Sequence, residues 1–174
     1  TAELPPIQLG FGFTLNGVGG LLGINRSVRA KPLGKAVRSG TLDSILFPKN
    51  PVANAQRIIS DLRAVFPPTA GQHVFGPMAK LGWGNPTLIV ADLGIVVQLP
   101  RPKFVLLGSL SAVLPDDIAP LVELNLDVAG VLDPPGQRAS IDASLYDSRV
   151  VAWSLSGDAA MRSRWGDDPR FVLS

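Results

Sequence analysis

His73 is the only histidine in the chain, and imidazole is the side chain best suited to move protons near neutral pH. A hydrolase would need it beside a serine hydroxyl and a carboxylate. No Gly-x-Ser-x-Gly elbow is present, and Ser109 and Ser111 alternate along an apparent strand. His73 itself lies among Val74, Phe75 and Pro77, a setting that suits packing or turn closure. One histidine makes no multi-histidine metal site, and a chain with no cysteine has neither a thiolate nucleophile nor a cysteine-bound zinc. Asp116/Asp117 and Asp167/Asp168 are carboxylate pairs of the type that binds calcium or shares acid–base work. Both pairs stand next to proline in turn sequence, where aspartate closes turns through its own side chain. Gly17-Val18-Gly19-Gly20-Leu21-Leu22-Gly23 has the glycine density of a nucleotide loop. Its third glycine is displaced from the dinucleotide fingerprint, and no Gly-Lys-Ser/Thr follows. The expectation is a non-catalytic chain with no catalytic residue, no metal and no cofactor. A hydrolase built on His73 is the remote alternative.

The elements that would hold any site are easier to read. From Thr87 onward, apolar and polar residues alternate in long runs. Val122, Leu124, Leu126 and Val128 interleave with Glu123, Asn125 and Asp127, and Ile141, Ala143 and Leu145 with Ser140, Asp142 and Ser144. Strand side chains point to opposite faces in turn, so this pattern predicts a sheet with one apolar and one polar face. Six strands are expected at about 87–99, 103–114, 121–132, 137–148, 150–162 and 169–174. No Gly or Pro marks a reversal at Ser148-Arg149, so 137–162 also reads as one bent ribbon. Strands this long in a short-turn meander twist or curve.

The first half is mixed. Ile7–Asn16 and Val18–Asn25 read as a hairpin turning at Asn16-Gly17, a strong positive-φ pair. Residues 1–25 thus form a Gly-rich hairpin, 26–70 a helical insert and 71–174 the meander. Within the insert, Pro32–Ser39 is a short helix ended by Gly40, and Thr41 caps a turn through Leu46. The best helix runs from Pro51 to Phe66, with Asn50 as its cap and Pro67-Pro68 as its stop. Its apolar stripe, including Val52, Ile58, Ile59, Leu62 and Val65, is expected to cover part of the apolar sheet face.

Charge is uneven. Residues 1–86 carry nine Lys/Arg against three Asp/Glu, and residues 87–174 carry seven against eleven. Arg26, Arg29, Lys31, Lys35 and Arg38 form a run without an acid, a candidate anion patch able to meet phosphate or an anionic membrane surface. It lacks the interleaved aromatics of a nucleic-acid platform, and Trp83, Trp153 and Trp165 are scattered, so no nucleic acid is expected. Thr1–Pro6 shows no signal-peptide pattern, and no apolar run reaches the length of a membrane-spanning helix. A set of outer-membrane barrel strands is disfavoured by the helical interruption and the missing aromatic girdles.

Gly17–Arg26, Ser44-Ile45-Leu46-Phe47-Pro48, Leu62–Pro68, Gly76-Pro77-Met78-Ala79-Lys80-Leu81-Gly82-Trp83-Gly84 and Ala143–Ser148 carry a resemblance that spans nearly the whole chain. This set resembles a domain of unknown function found in very large, often actinobacterial, bacterial proteins. The resemblance implies no transferable activity. It implies a piece of a longer β-rich polypeptide, in agreement with a strand that stops at Phe171-Val172-Leu173-Ser174.

The fold class expected is mainly β (α+β), a curved antiparallel meander in one domain with one amphipathic helix and one or two short ones packed on it. The apolar face, with Leu106, Leu110, Val122, Leu124, Leu126, Val128, Ile141 and Leu145, is the candidate trough for lipid or another hydrophobic ligand. The alternative is an assembly module that pairs through sheet edges and this face with other copies or with neighbouring segments of the parent chain.

Overall fold

A computed structural model describes residues 1–39, 42–48, 50–115 and 118–174, the side chains of Asp43 and Ser44 excepted. Its strands are β1 (Ala2–Gly10), β2 (Phe13–Arg26), β3 (Pro68–Trp83), β4 (Ile89–Leu99), β5 (Lys103–Leu114), β6 (Val122–Asp133), β7 (Arg138–Val150), β8 (Trp153–Arg164) and β9 (Arg170–Leu173). Each pairs antiparallel with the next in sequence, giving one open nine-stranded sheet with β1 and β9 at its edges. Three helices lie between β2 and β3: α1 (Ala30–Arg38), α2 (Asp43–Leu46) and α3 (Ala55–Val65). The expected mainly-β meander with a helical insert is the fold.

The two faces of the sheet follow from its register, because residues directly opposite across an antiparallel pair share a face. Asp92, Gly94, Val96 and Gln98 of β4 are buried, as are Val105 and Leu107 of β5 and Ala129 and Val131 of β6. These apolar side chains join Leu33 and Val37 of α1, Leu42, Ile45, Leu46 and Phe47 around α2, and Val65 and Phe66 at the end of α3 in one core. The intervening residues, such as Leu93, Ile95, Phe104 and Leu106, look away from the helices and are 41–53% exposed.

This overturns one expectation. Pro51–Phe66 was expected to cover the apolar face of the meander. The helices instead lie on the other face, the one that carries Asp127, Asp142 and Ser144 on β6 and β7. Nor is the helix at 51–66 the main cover. Asn50 adopts a positive φ of 48°, whereas an N-cap takes extended backbone. Residues 51–54 are turns, and the helix starts only at Ala55. Val65 is its one buried residue, and Ile59 stays 48% exposed. The element seated on the sheet is α1, against β6 and β7. Gly40 and Thr41, expected to end one helix and cap the next, lie outside the described residues, as do Asp116 and Asp117.

Polar contacts hold α1 and its flanks in place. Asp142 of β7 accepts from Arg38 of α1 at 3.1 Å and from Arg162 of β8 at 2.6 Å, with its own side chain only 7% exposed. Gly34 makes this approach possible, since a Cβ there would stand 2.8 Å from Asp142 Oδ2. The buried Val28 amide donates to Gln98 Oε1 at 2.7 Å, and the Arg29 amide to the Val65 carbonyl at 2.9 Å.

Two turns also differ from expectation. The first hairpin reverses at Phe11-Gly12 rather than Asn16-Gly17. Gly10, Phe11 and Gly12 have φ of 101°, 53° and 81°, a left-handed run that glycine makes affordable on both sides of Phe11. The Trp83 indole donates to the Phe11 carbonyl at 3.2 Å and fixes the turn. Asn16-Gly17 sit within β2 at a register shift. The β7–β8 reversal falls at Val151-Ala152, between the paired residues Val150 and Trp153, with Val151 at φ 54°. Residues 137–162 are therefore two strands, not one ribbon.

The facing rule predicts a contrast between sequence neighbours. Leu107→Ala on the helix-covered face should cost about 2–5 kcal/mol in denaturant unfolding. Leu106→Ala, on the open face, should cost under about 1 kcal/mol by the same measurement. Gly34→Val should destabilise by about 1–3 kcal/mol through overpacking against Asp142.

Candidate functional site

The eight residues singled out for the apolar face occupy that face together. Ile95, Leu106, Gly130, Ile141, Met161 and Leu173 stand opposite one another in turn across β4 to β9. Ala91, Leu110, Leu126, Leu145 and Gly157 form a second row. Leu124 pairs with Ala112, Val128 with Gly108 and Ala143, and Val122 with Leu114. Leu106 and Ile141 are 53% and 41% exposed, while Leu110, Val122, Leu124, Leu126, Val128 and Leu145 are half-buried by lateral neighbours. Toward the far edge Leu22, Ile24 and Phe75 continue the face at 76%, 68% and 61% exposure. From β4 to β6 every residue on this face is apolar or glycine.

The total surface is large for the chain's mass. The chain exposes 10519 Å². A compact globular chain of 18.3 kDa would expose about 8,100 Å². The excess, about 2,400 Å² on that scaling, is shared between the open apolar face and the edge strands β1, β8 and β9, which are exposed along most of their length.

A second feature lies on the helix side, at the sheet end that holds the start of β5, β7 and β9. A cleft of about 620 Å³ opens between the first turn of α1 and this end of the sheet. Arg29 and Lys31 line it from the insert, and Lys103, Arg138, Arg162, Arg164 and Arg170 line it from the strands. Asp133 is the one carboxylate among the described residues of the lining. Asp133 takes Arg138 at 2.9 Å and Lys103 at 3.7 Å, and the Gly136 amide donates to it at 3.1 Å. Burial would raise its pKa, but the Arg138 hydrogen bond, the Lys103 charge and the Gly136 amide together outweigh burial. The carboxyl is held below its ordinary value.

The anion patch expected from sequence is divided by the fold. Arg29 and Lys31 reach the cleft. The Arg26 guanidinium instead donates to the Phe66 carbonyl at 3.1 Å, and Arg38 is bound to Asp142. Lys35 lies in the last turn of α1 and does not line the cleft. The five strand-borne cations were missed because they lie on β5, β7, β8 and β9, up to 67 positions apart. The available signal was positional, since each stands at or near a strand end that meets the same end of the sheet.

His73, near the start of β3, is exposed and faces Ile24 and Leu99 across the sheet. Its Nδ1 accepts from the Asn25 backbone amide at 3.4 Å. Asp168 pairs with Arg170 at 2.7 Å. Among the described residues, no three His, Asp or Glu side chains are grouped to hold a metal ion, and no helix is long and apolar enough to cross a membrane.

Asp133 gives this end of the sheet a pH signature. Its pKa is lower folded than unfolded, so its contribution is present above the unfolded value of about 3.9 and is lost as pH falls through the folded value below it. Asp133→Asn should lower stability at neutral pH on the order of 1 kcal/mol, since Arg138 is largely solvated. It should also flatten the fall in stability below about pH 4 in chemical-denaturation curves.

A model of a family of unknown function, DUF6603, matches residues 1–174. The chain belongs to that family. No curated protein and no solved structure matches it.

Proposed function

We propose that this chain is a non-catalytic β module that holds lipid or another hydrophobic ligand against the open face of its sheet. One observation carries the reading: the apolar face of β4–β7 is continuous across strands, and the helices occupy the other side. Its chemistry favours hydrocarbon over a protein partner. Protein interfaces carry about one hydrogen bond per 100–200 Å² and a polar rim. On this face the side chains of β4 to β6 offer neither donor nor acceptor, which suits acyl chains at about 0.8 kcal/mol per buried methylene. Purified protein should therefore carry co-extracting lipid, visible as mass additions in native mass spectrometry. Leu106→Glu combined with Ile141→Glu should remove most of it while circular dichroism stays unchanged, because both side chains are already solvent-facing. Lipid-free protein, or bound lipid indifferent to the double variant, defeats the reading.

A second reading, an assembly module, rests on the edges. β9 pairs with β8 only from Met161 to Arg164, apart from a Ser174–Ala160 backbone contact. Trp153–Ala159 of β8 consequently form the outer edge there, a template for strand addition. In this case sedimentation velocity on delipidated protein should show concentration-dependent dimers or larger species. Pro substituted at Ser156 should then dissociate them. A monomer across the accessible concentration range removes this alternative.

A further inference from the structure

The cationic cleft has an arrangement that folding alone does not favour. Lys103, Asp133, Arg138, Arg164 and Arg170 occupy one cross-strand row over β5 to β9, on the helix-covered face. Asp133 is opposite Arg138, Arg138 opposite Arg164, and Arg164 opposite Arg170. Three guanidinium groups in directly opposed positions repel one another. The row has one carboxylate at its β6 position, and Asp168 reaches Arg170 from the turn. Arg162, one row inward, is held by Asp142. Arg29, Lys31 and Arg164 make no ion pair among the described residues. Among the described residues, the seven cations of the lining face one carboxylate, a formal charge of +6, which is still +4 when Asp142 and Asp168 are counted.

The cleft is open to solvent: Lys103 and Asp133 are largely buried at its base, while the other six cations stand exposed around it. The cleft volume of about 620 Å³ lies within the range of roughly 300–1,000 Å³ usual for small-ligand sites. Its walls come from two separate parts of the chain, the first turn of α1 and the strand ends. Cations therefore converge from opposite sides. No side chain caps the start of α1, and its first turn holds no acid, so the helix end adds to the positive field.

We propose that this cleft binds a multiply charged phosphate group, as a pyrophosphate or a phosphate monoester. Arginine is suited to this group because its planar fork meets two phosphate oxygens at once, and a tetrahedral phosphate can engage several forks from different directions. Arg164, flanked by Arg138 and Arg170, is the central ligand, with Arg29 and Lys31 closing from the insert. Such an anion would relieve the repulsion along the row and so tie β7–β9 to α1. The site is on the opposite face from the apolar surface, so it stands or falls independently of lipid binding there.

The phosphate has two conceivable sources, a soluble ester or a lipid headgroup, and the test separates them. Inorganic pyrophosphate is titrated into the full chain by calorimetry at low and at physiological salt. In parallel, flotation compares phosphatidylcholine vesicles with and without phosphatidic acid. Saturable 1:1 binding of pyrophosphate that raises the thermal midpoint supports a soluble ligand. Flotation that requires phosphatidic acid supports a headgroup. In either arm Arg164→Glu should weaken binding at least tenfold, whereas Arg57→Glu, exposed on α3 and not part of the cleft lining, should leave it unchanged. Arg164→Ala should also leave the unliganded midpoint equal or higher, because it removes a like-charge contact, while abolishing the pyrophosphate-induced rise. No binding in both arms at low salt overturns the proposal, as does equal weakening by Arg164→Glu and Arg57→Glu.

Discussion

The buried Asp142 carboxylate decides which side of the sheet is covered. It points into the helix side of β7, where it would be costly alone. Arg38 comes to it from α1 and Arg162 from β8, so the charge is answered from both the cover and the sheet. Gly34 removes the one Cβ that would keep α1 from settling there. With α1 fixed against β6 and β7, Leu33 and Val37 join Val105, Leu107, Ala129 and Val131 in one cluster, and the core of the protein forms on this side. Gln98 and Lys103 add a second anchor at Val28, where the amide meets Gln98 and the carbonyl accepts from Lys103 at 3.4 Å. The same contact that seats the insert therefore commits the other face of the sheet to remain open.

An open apolar face of this breadth has an energetic consequence. About 25 cal/mol per Å² is the usual gain for removing apolar surface from water. The chain thus keeps a large unspent driving force on one side, while its stability depends on the helix side. This division explains why the sheet is long-stranded and sequentially paired. The strands from β4 to β6 are each paired on both sides over most of their length, from Ile89↔Ala112 through Asp133↔Arg138, and need no second sheet above them to fix their register.

Much of this was legible in the residues. Turn chemistry at Pro100-Arg101-Pro102 and Asp133-Pro134-Pro135-Gly136, together with period-two alternation, gave the strand count and assigned Leu106 through Ile141 to a common face. What alternation could not give is which face the insert would choose. Hydrophobicity argued for the apolar side, yet Asp142 and Gln98 decided otherwise, because a buried ion pair or amide contact depends on partners distant in sequence. The Asn16-Gly17 dipeptide misplaced the first turn for a related reason: the Gly10-Phe11-Gly12 run, fastened by the Trp83 indole, competes with it from another strand. α3 begins late because Asn50 takes a left-handed conformation, a backbone choice its residue type permits without demanding. The cationic row was invisible for the plainest reason, since Lys103, Arg138, Arg164 and Arg170 share no sequence window.

Both candidate surfaces depend on one constraint, the register of β5 to β9. Side chains alternate with a period of two, so a one-residue slip in β6 would put Asp127 and Asp133 on the apolar side and Leu126 and Leu132 under the helices. Neither surface would survive that exchange. The register is pinned at the cleft end by Asp133, which binds Lys103 of β5 and Arg138 of β7 at once. At the other end, Asp147 takes a positive φ of 42° and the Ser148 hydroxyl accepts from the Asn125 amide at 2.8 Å, absorbing an irregularity between β6 and β7. Arg149 and Glu123 pair beyond it. The polar residues of the meander therefore do more than keep one face wet. They hold the strands in the one alignment that separates an apolar surface from a charged one across the thickness of a single sheet.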